Sequence, residues 1–192
     1  MRVTGGRFLG RQLLSPKGPA VRTTLDHVRQ AIFNLLGERV EGARVLDLFS
    51  GSGALGIEAL SRGASHVTFL DRSLFCIRTL QANLRNLEED DRCAVLRSDA
   101  LTGIRNLAKR GALFDLVLLD PPYGGPLAIK SLNALADCAI LLPSGLVVTE
   151  HDKRHPLPPK VESKAGRLIL QRRERYGDTA LTIYFCQRCQ AL

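Results

Sequence analysis

An apolar run that ends in a glycine-rich turn constrains the fold of this chain more than any other stretch. Residues 44–49 read Arg-Val-Leu-Asp-Leu-Phe, which is typical of a central parallel strand covered on both faces. A tight turn is predicted at 50–53, and a helix from about Ala54. Asp47 interrupts the apolar run near the carboxyl end of the strand, which is the edge where ligands bind in open α/β sheets. A buried carboxylate is costly unless another group binds it, so a binding site is predicted at this edge.

Strand and helix signals alternate along residues 43–150. The predicted strands are 44–49, 67–70, 93–96, 114–119 and 146–149. The predicted helices are 54–62, 74–87, 101–110 and 127–141. This alternation favours an α/β fold with a doubly wound, mostly parallel sheet and right-handed crossovers. After Glu150 a proline-rich loop is predicted at 151–160, and the β-branched segments 168–173 and 180–186 predict a closing antiparallel hairpin.

The first 40 residues precede the alternation and are predicted to be a small basic extension of a domain formed by residues 41–192. Segments 3–8 and 12–14, which flank Leu9-Gly10, predict a hairpin. A helix is predicted to begin after Thr23 or Thr24 and to end at Gly37. Arg29 is expected on its more exposed side. The expected apolar face of this helix is Leu25, Val28, Ile32, Leu35 and Leu36.

The positive charge of the chain is concentrated at its two ends. Residues 1–40 carry seven Lys or Arg and two acidic residues, a net charge of +5. Residues 41–150 carry eleven Lys or Arg and thirteen acidic residues, a net charge of −2. Residues 151–192 carry nine Lys or Arg and four acidic residues, a net charge of +5. Of the 27 basic residues 21 are Arg, which binds phosphate through paired hydrogen bonds and stacks on bases. Two basic ends around a near-neutral middle favour a polyanionic partner such as nucleic acid.

A second apolar strand ends in the tetrapeptide Asp120-Pro121-Pro122-Tyr123. Two prolines end a strand and restrict the backbone beside them. A carboxylate, fixed carbonyl groups and an aromatic ring are therefore predicted at the carboxyl edge of the sheet, and this set suits a flat ring that bears an amino group. Gly51-x-Gly53-x-x-Gly56 with Asp71 also permits a dinucleotide site, but the tetrapeptide argues against it.

Taken in order, Asp47-x-Phe49-x-Gly51-x-Gly53 and Asp120-Pro-Pro-Tyr123 resemble the motifs of S-adenosylmethionine-dependent amino-methyltransferases. The blocks Gly5-Gly6-Arg7 and Arg22-Thr-Thr-x-Asp26-x-Val-Arg29 narrow the resemblance to the RsmD family, the 16S rRNA guanine-N2 methyltransferases. The resemblance covers about Val3 to Phe185. It implies a Rossmann-like, seven-stranded sheet with an antiparallel last strand.

The resemblance also implies roles for individual residues. The implied cofactor is S-adenosylmethionine, with contacts expected from Asp47, Phe49, Ser50, Gly51, Ser52, Gly53, Asp71, Arg72, Asp99 and Ala100. The expected catalytic residues are Asp120, Pro121, Pro122 and Tyr123. The expected RNA-binding residues are Arg7, Arg11, Arg22, Thr23 and Arg29. Asp71 would accept hydrogen bonds from ribose hydroxyls, Asp99 would lie near the adenine amino group, and Tyr123 would stack on an unstacked target base.

Other functions remain open from the residues alone. A DNA adenine-N6 methyltransferase shares the tetrapeptide, but the chain leaves no room for a separate target-recognition domain. An NAD-dependent oxidoreductase shares Gly-x-Gly-x-x-Gly, but no substrate domain follows. A non-catalytic RNA-binding protein is disfavoured because both Asp47 and Asp120 are present. Methylation of a pyrimidine carbon needs a cysteine in the site, and none lies near 120–123 in the sequence.

The remaining features favour a cytoplasmic protein without a metal. No window reaches the ~18 apolar residues of a transmembrane helix, and the N-terminus lacks the apolar core of a secretion signal. The five cysteines are interpreted as reduced thiols, with Cys186 and Cys189 as an incidental pair. The histidines are expected at the surface or in loops, and residues 88–91 in a solvated turn. The expected partner is 16S rRNA, within a 30S subunit or an assembly intermediate, and the expected state is a monomer.

Overall fold

The computed structural model describes residues 1–15 and 25–188, apart from the side chain of Arg188. The chain forms two compact units, Met1–Asp99 and Ala100–Leu192. The strands belong to an eight-stranded, mixed sheet, so the predicted α/β class is confirmed. The sequence predicts a division at residue 40 instead, between an extension that contacts RNA and a methyltransferase domain. This division concerns function and stays a prediction.

The first unit has a parallel three-stranded part of the sheet, in the order β3-β2-β1. Its strands are β1 (Arg44–Leu48), β2 (His66–Asp71) and β3 (Cys93–Arg97). Its helices are α1 (Asp26–Leu36), α2 (Ala54–Ser61) and α3 (Leu74–Leu87). Every residue of α2 is buried, because the N-terminal segment packs on this helix as well as the strands. α2 begins directly after the turn that follows β1, so that turn is fixed by buried elements on both sides.

The strands of the second unit lie in the order β4-β5-β8-β7-β6. β4 pairs with β5 in parallel, and the other pairs are antiparallel. Its strands are β4 (Phe114–Leu119), β5 (Leu141–Asp152), β6 (Lys160–Glu162), β7 (Gly166–Tyr176) and β8 (Thr179–Arg188). Its helices are α4 (Ala100–Lys109) and α5 (Leu127–Cys138). The predicted C-terminal hairpin is therefore confirmed as β7–β8.

The number of strands differs from the expected seven. The additional strand is β6, which pairs Lys160 with Ile169 and begins where a loop was predicted to end. β5 is also longer than predicted at both ends: it begins at Leu141, where the predicted helix ended, and Glu150, His151 and Asp152 pair with residues 179–181 of β8. Those three residues are polar and give no strand signal of their own, and their conformation is set by the partner strand.

The N-terminal segment reverses direction as predicted, but not through two regular strands. Arg2 and Gln12 form an antiparallel bridge, and Val3 N–H donates to the Arg11 carbonyl at 3.0 Å. Residues Gly6–Phe8 form a 3₁₀ turn instead of strand. Two further 3₁₀ turns are Gly37–Val40 and Asp90–Arg92.

Candidate active site

The turn after β1 has three positive φ angles within five residues, 63° at Phe49, 55° at Gly51 and 84° at Gly53. A positive φ at a residue such as Phe49 is uncommon and concentrates at functional sites. At Gly51 a Cβ would meet only the Phe49 carbonyl oxygen, 4.0 Å away, among the described residues, so a ligand can approach the backbone closely. At Gly53 a Cβ would lie 2.3 Å from Leu80 Cδ1, so the turn packs tightly on α3.

Asp71, the last residue of β2, holds this turn. Its Oδ2 accepts a hydrogen bond from Gly51 N–H at 2.9 Å, and its Oδ1 accepts one from Ser73 N–H at 2.8 Å. Ser50 N–H donates to the Leu70 carbonyl at 3.1 Å. A carboxylate has about four lone-pair sites, so Asp71 retains capacity to accept from ligand hydroxyls. The contact of Asp71 with a ribose stays a prediction.

Asp47 lies beneath the turn and is 1% exposed. Its Oδ2 accepts a hydrogen bond from Gly56 N–H at 2.9 Å, which satisfies an otherwise unpaired donor in the first turn of α2. Burial raises the pKa of Asp47 to about 7, the Gly56 bond opposes this rise, and the nearby Asp71 carboxylate adds to it. Asp47 therefore fixes the start of α2, and its ionisation is sensitive to a nearby positive charge.

Ser50, in the same turn, is the group that most directly suggests a ligand. Its Oγ is buried and has no hydrogen-bond partner within residues 1–15 and 25–188. Buried hydroxyl groups are normally bonded, so an unbonded one beside open backbone suits a polar ligand. Ser52 contributes its carbonyl to the packing of the turn, because it accepts from Asn83 Nδ2 at 2.9 Å. An unbonded hydroxyl beside open backbone and a carboxylate with spare acceptor capacity fit S-adenosylmethionine, and the contacts of the individual residues with it stay a prediction.

The other predicted cofactor residues follow the next strands. Arg72 and Asp99 are exposed, whereas Ala100 is buried at the start of α4. Ser98 N–H donates to the Asp71 carbonyl at 3.1 Å, which brings the segment after β3 to the end of β2. The contact of Asp99 with adenine stays a prediction.

The tetrapeptide after β4 presents a partly exposed carboxylate, Asp120, beside the buried Pro121 and the exposed Pro122. Tyr123 is fixed by its hydroxyl group, which donates to Glu150 Oε1 at 3.0 Å and lies 3.0 Å from Thr179 Oγ1. Glu150 and Thr179 are 2% and 3% exposed. The sequence interpretation missed both residues, although Glu150 follows a predicted strand as Asp71 and Asp120 do, and that pattern could have identified it.

A cavity of about 360 Å³ adjoins the tetrapeptide within the second unit. Its lining comes from two segments, residues 121–129 and residues 151–158. The lining residues are Pro121, Pro122, Tyr123, Gly124, Gly125, Ala128, Ile129, His151, Asp152, His155, Pro156, Leu157 and Pro158. Most of these side chains are apolar, which is typical of a pocket for a small organic group.

Comparison with known proteins assigns the chain to a family. The sequence profile described as Conserved hypothetical protein 95 matches residues 1–185. Ribosomal RNA small subunit methyltransferase D of Escherichia coli K12 is 33% identical over 96% of this chain and 89% of its own length. YlbH of Bacillus subtilis, named provisionally as an rRNA methyltransferase, is 41% identical over 96% of this chain and 98% of its own length.

The chain belongs to the RsmD family. A solved structure agrees with this assignment: yhhF of Escherichia coli, named provisionally as a methyltransferase, superimposes with a TM-score of 0.85 at 32% identity, covering 98% of this chain and 99% of the other. All the site residues described above lie inside the range that the family profile matches.

The predicted RNA-binding residues of this RsmD-family chain differ in their exposure to solvent. Arg7 is half exposed, pairs with Glu89 and lies 4.5 Å from the centre of the Phe8 ring. Arg11 is exposed and donates to the Asn86 carbonyl at 2.7 Å. Arg22 and Thr23 lie outside the described residues. Arg7 and Arg11 are thus available at the surface of the first unit.

Arg29 was expected on the exposed side of α1, and this expectation is wrong. Its side chain is 0% exposed, and its Nε donates to Glu58 Oε2 at 3.3 Å. Its Nη2 donates to Asp26 Oδ1 at 3.0 Å and to the Arg2 carbonyl. A buried guanidinium is tolerated because Glu58, itself buried, faces it. Arg29 ties α1 to α2 and to the N-terminal segment, so it is a structural residue and not a surface ligand for RNA.

Two further side chains that were expected to be exposed to solvent are buried. Glu89, predicted in a solvated turn, is 4% exposed and pairs with Arg7 and Arg92. His151, predicted at the surface, is buried, and its Nε2 lies 2.8 Å from Thr182 Oγ1. Burial lowers the pKa of His151. Cys186 is buried, and Cys189 lies outside the described residues.

Two negative findings apply to the described part of the chain. No group of three or more His, Cys, Asp or Glu there could hold a metal ion. No helix there has the length and apolarity needed to cross a membrane.

Proposed function

We propose that this protein transfers a methyl group from S-adenosylmethionine to the exocyclic N2 amine of a guanine in small-subunit ribosomal RNA. Membership of the RsmD family supports this, as does the turn at 49–53 with its buried, unbonded Ser50 hydroxyl. The proposed acceptor is supported by the tetrapeptide, in which the Glu150 carboxylate holds the Tyr123 hydroxyl beside a cavity.

Each half of the site has a defined task in this proposal. S-adenosylmethionine, when bound, supplies an electrophilic methyl group on a positively charged sulfur. The Ser50 hydroxyl contacts its amino-acid end, which the open backbone at Gly51 lets approach closely. Asp71, which already accepts from Gly51 N–H, accepts in addition from its ribose. When Asp47 is ionised, its carboxylate beneath the turn favours binding of the positively charged cofactor. Arg72, Asp99 and Ala100 are proposed to border the adenine ring.

The acceptor amine is a weak nucleophile because its lone pair is delocalised into the guanine ring. We propose that the Asp120 carboxylate and the Pro121 carbonyl accept its two N–H groups, which favours a geometry with the lone pair available. Holding this orientation supplies much of the rate enhancement. Asp120 need not be a strong base, because the proton is acidic once the new N–C bond has formed and can then leave to the carboxylate or to water.

The substrate context follows from the same proposal. Arg7 and Arg11 contact the rRNA backbone, and residues 1–40 act as an RNA-binding extension of the catalytic domain at 41–192. We propose a monomer that acts in the cytoplasm, where small subunits are assembled, on 16S rRNA within a 30S particle or an assembly intermediate.

The decisive experiment uses 30S particles and free 16S rRNA from a strain that lacks the protein. Both are incubated with purified protein and methyl-labelled S-adenosylmethionine, then digested to nucleosides. We expect label in N2-methylguanosine, with at least about a 100-fold lower rate for Asp120→Ala. Asp137→Asn, at an exposed site on α5, is the matched control and should retain full activity. Label in another nucleoside, or only in DNA, would overturn the proposed substrate.

A further inference from the structure

A buried asparagine in the first unit contacts both the N-terminal segment and the turn after β1. Asn83, on α3, is 1% exposed. Its Oδ1 accepts a hydrogen bond from Leu14 N–H at 2.8 Å. Its Nδ2 donates to the Leu14 carbonyl at 3.0 Å and to the Ser52 carbonyl at 2.9 Å. An amide side chain has two N–H donors and one carbonyl acceptor, so every polar group of Asn83 is engaged in joining these two segments.

On one side, Asn83 supports the turn at 49–53, where the cofactor is proposed to bind. The hydrogen bond to the Ser52 carbonyl fixes the direction of a peptide group in the middle of that turn. Leu80 lies one helical turn before Asn83 and packs on the same region, because a Cβ at Gly53 would lie 2.3 Å from Leu80 Cδ1. The position of the turn therefore depends on one face of α3.

On the other side, Asn83 holds the segment 11–14 on α3. Leu14 is fixed through both of its backbone groups, although its side chain is half exposed. Arg11 contacts the same helix, because its Nη2 donates to the Asn86 carbonyl at 2.7 Å. Arg11 is also one of the two described residues that are proposed to contact the rRNA backbone. A segment with a proposed RNA contact and the turn with the proposed cofactor contacts are thus held by the same side chain.

We propose that Asn83 is a positioning residue that couples the binding of RNA to the binding of the cofactor. Its amide makes all of its hydrogen bonds only when the turn and the segment 11–14 are both in place. RNA that holds the segment through Arg11 reduces the cost of fixing the Ser52 peptide group, and a cofactor in the turn reduces the cost of fixing the segment. Each ligand then strengthens the binding of the other by the same factor. The inference rests on the proposed function for the identity of both ligands.

Asn83→Asp tests this link with almost no change in the size of the side chain. The carboxylate still accepts from Leu14 N–H, but it has no N–H groups for the Leu14 and Ser52 carbonyls. Asn83→Ala removes all of these hydrogen bonds without adding a charge, so the test does not depend on how the fold tolerates a buried carboxylate. Asn106→Asp and Asn106→Ala, at an exposed position on α4, are the matched controls.

The coupling is measured as the ratio of two dissociation constants. Equilibrium dialysis gives the Kd of labelled S-adenosylhomocysteine, which has no methyl group to transfer, with and without saturating 30S particles from a strain that lacks the protein. In the wild type and in both Asn106 variants we expect the particles to lower this Kd about 10-fold, and in both Asn83 variants about twofold or less. A loss of stability alone does not change the ratio, because both constants are measured on folded protein. A wild-type ratio near unity, or an unchanged ratio in both Asn83 variants, would overturn the proposal.

Methylation of the same 30S particles separates this inference from the proposed function. If the wild type labels no rRNA guanine, but 30S particles still tighten binding of S-adenosylhomocysteine in a way that requires Asn83, the proposed function is contradicted and the coupling is supported. If the wild type forms N2-methylguanosine and the Asn83 variants keep the wild-type ratio, the coupling alone is contradicted.

Discussion

Tyr123 is oriented by residues that lie far from it in the sequence. Its hydroxyl contacts Glu150 on β5 and Thr179 on β8, so the ring beside the cavity has a defined position. The tetrapeptide motif predicts the presence of the aromatic ring but not how it is held. The pattern of acids at strand ends could have identified Glu150, but Thr179 could only be identified once the long pairing of β5 with β8 was known.

Tyr123→Phe keeps the ring and removes the hydroxyl. We expect kcat to fall about 10-fold, because the ring is no longer fixed, and the free energy of unfolding to fall by about 1–3 kcal/mol, because the buried Glu150 loses a donor. Single-turnover methylation and urea unfolding measure the two effects. Tyr176→Phe, on β7 outside the cavity lining, is the control. A Tyr123→Phe variant with normal kcat would show that the hydroxyl contacts serve stability only.

Asp47 gives the folded protein a specific pH dependence in the absence of cofactor. Its pKa is raised from 3.8 to about 7, so between these values the folded state binds more protons than the unfolded state. Stability therefore falls as pH rises from about 4 to about 7, by up to about 4 kcal/mol from this group, and is flat above that range.

Asp47→Asn should remove this component. Urea unfolding at a series of pH values should show that the difference in stability between Asp47→Asn and the wild type increases from pH 4 to pH 7 in favour of the variant. Asp137→Asn is the surface control. Parallel stability profiles for Asp47→Asn and the wild type would contradict the raised pKa.

At the scale of elements, the N-terminal segment, α1 and α2 are joined by one buried carboxylate. Glu58 accepts from Thr4 N–H and Arg62 Nε, each at 2.8 Å, and from Arg29 Nε at 3.3 Å. We expect Glu58→Gln to destabilise the protein by about 3–5 kcal/mol, because the buried Arg29 guanidinium loses its buried charged partner and keeps only the half-exposed Asp26. Urea denaturation measures the loss.

Glu162→Gln is the contrasting variant, because Glu162 pairs with Lys160 and Arg167 at the surface. It should cost no more than about 1 kcal/mol. The double variant Arg29→Met with Glu58→Leu should recover most of the stability that Glu58→Gln loses, because both buried charges are removed together and the side chains that lose a partner, Arg62 and Asp26, are partly exposed. Similar costs for Glu58→Gln and Glu162→Gln would contradict a buried ion-pair network.

The elements that the sequence predicts well are those whose own residues determine them. α3 follows the prediction because Ile77, Leu80, Leu84 and Leu87 repeat at helical spacing and are buried. α1 also ends at Gly37 as predicted. The end of β5 and the burial of Arg29 were missed because they depend on contacts with distant segments, which periodicity does not report. β6 was missed because it is only three residues long and is formed by pairing with the adjacent strand β7. For the same reason the motifs identify Asp71 and Asp120, but not the cavity wall at 151–158.

At the scale of the whole molecule, the uneven distribution of charge along the chain bears on RNA binding. Residues 151–192 carry nine Lys or Arg and four acidic residues, and Arg172 and Arg175 are exposed on β7. Arg172 pairs with Glu174 at 2.7 Å, an exposed contact that a phosphate can replace at little cost. The C-terminal hairpin is therefore expected to contribute to rRNA affinity in addition to Arg7 and Arg11.

Arg172→Ala with Arg175→Ala should weaken binding of 16S rRNA about 10-fold at moderate salt and reduce the slope of log K against log salt concentration by about 1–2, because one or two phosphate contacts are lost. The methylation rate at saturating RNA should be unchanged, since neither residue lines the cavity. Filter binding across a salt series and single-turnover kinetics measure these effects. Lys109→Ala with Arg110→Ala, which removes the same charge from exposed positions at the end of α4, is the matched control. If both pairs reduced affinity and slope equally, net charge rather than contact with β7 would account for the affinity, and if neither did, the C-terminal hairpin would lie outside the RNA interface.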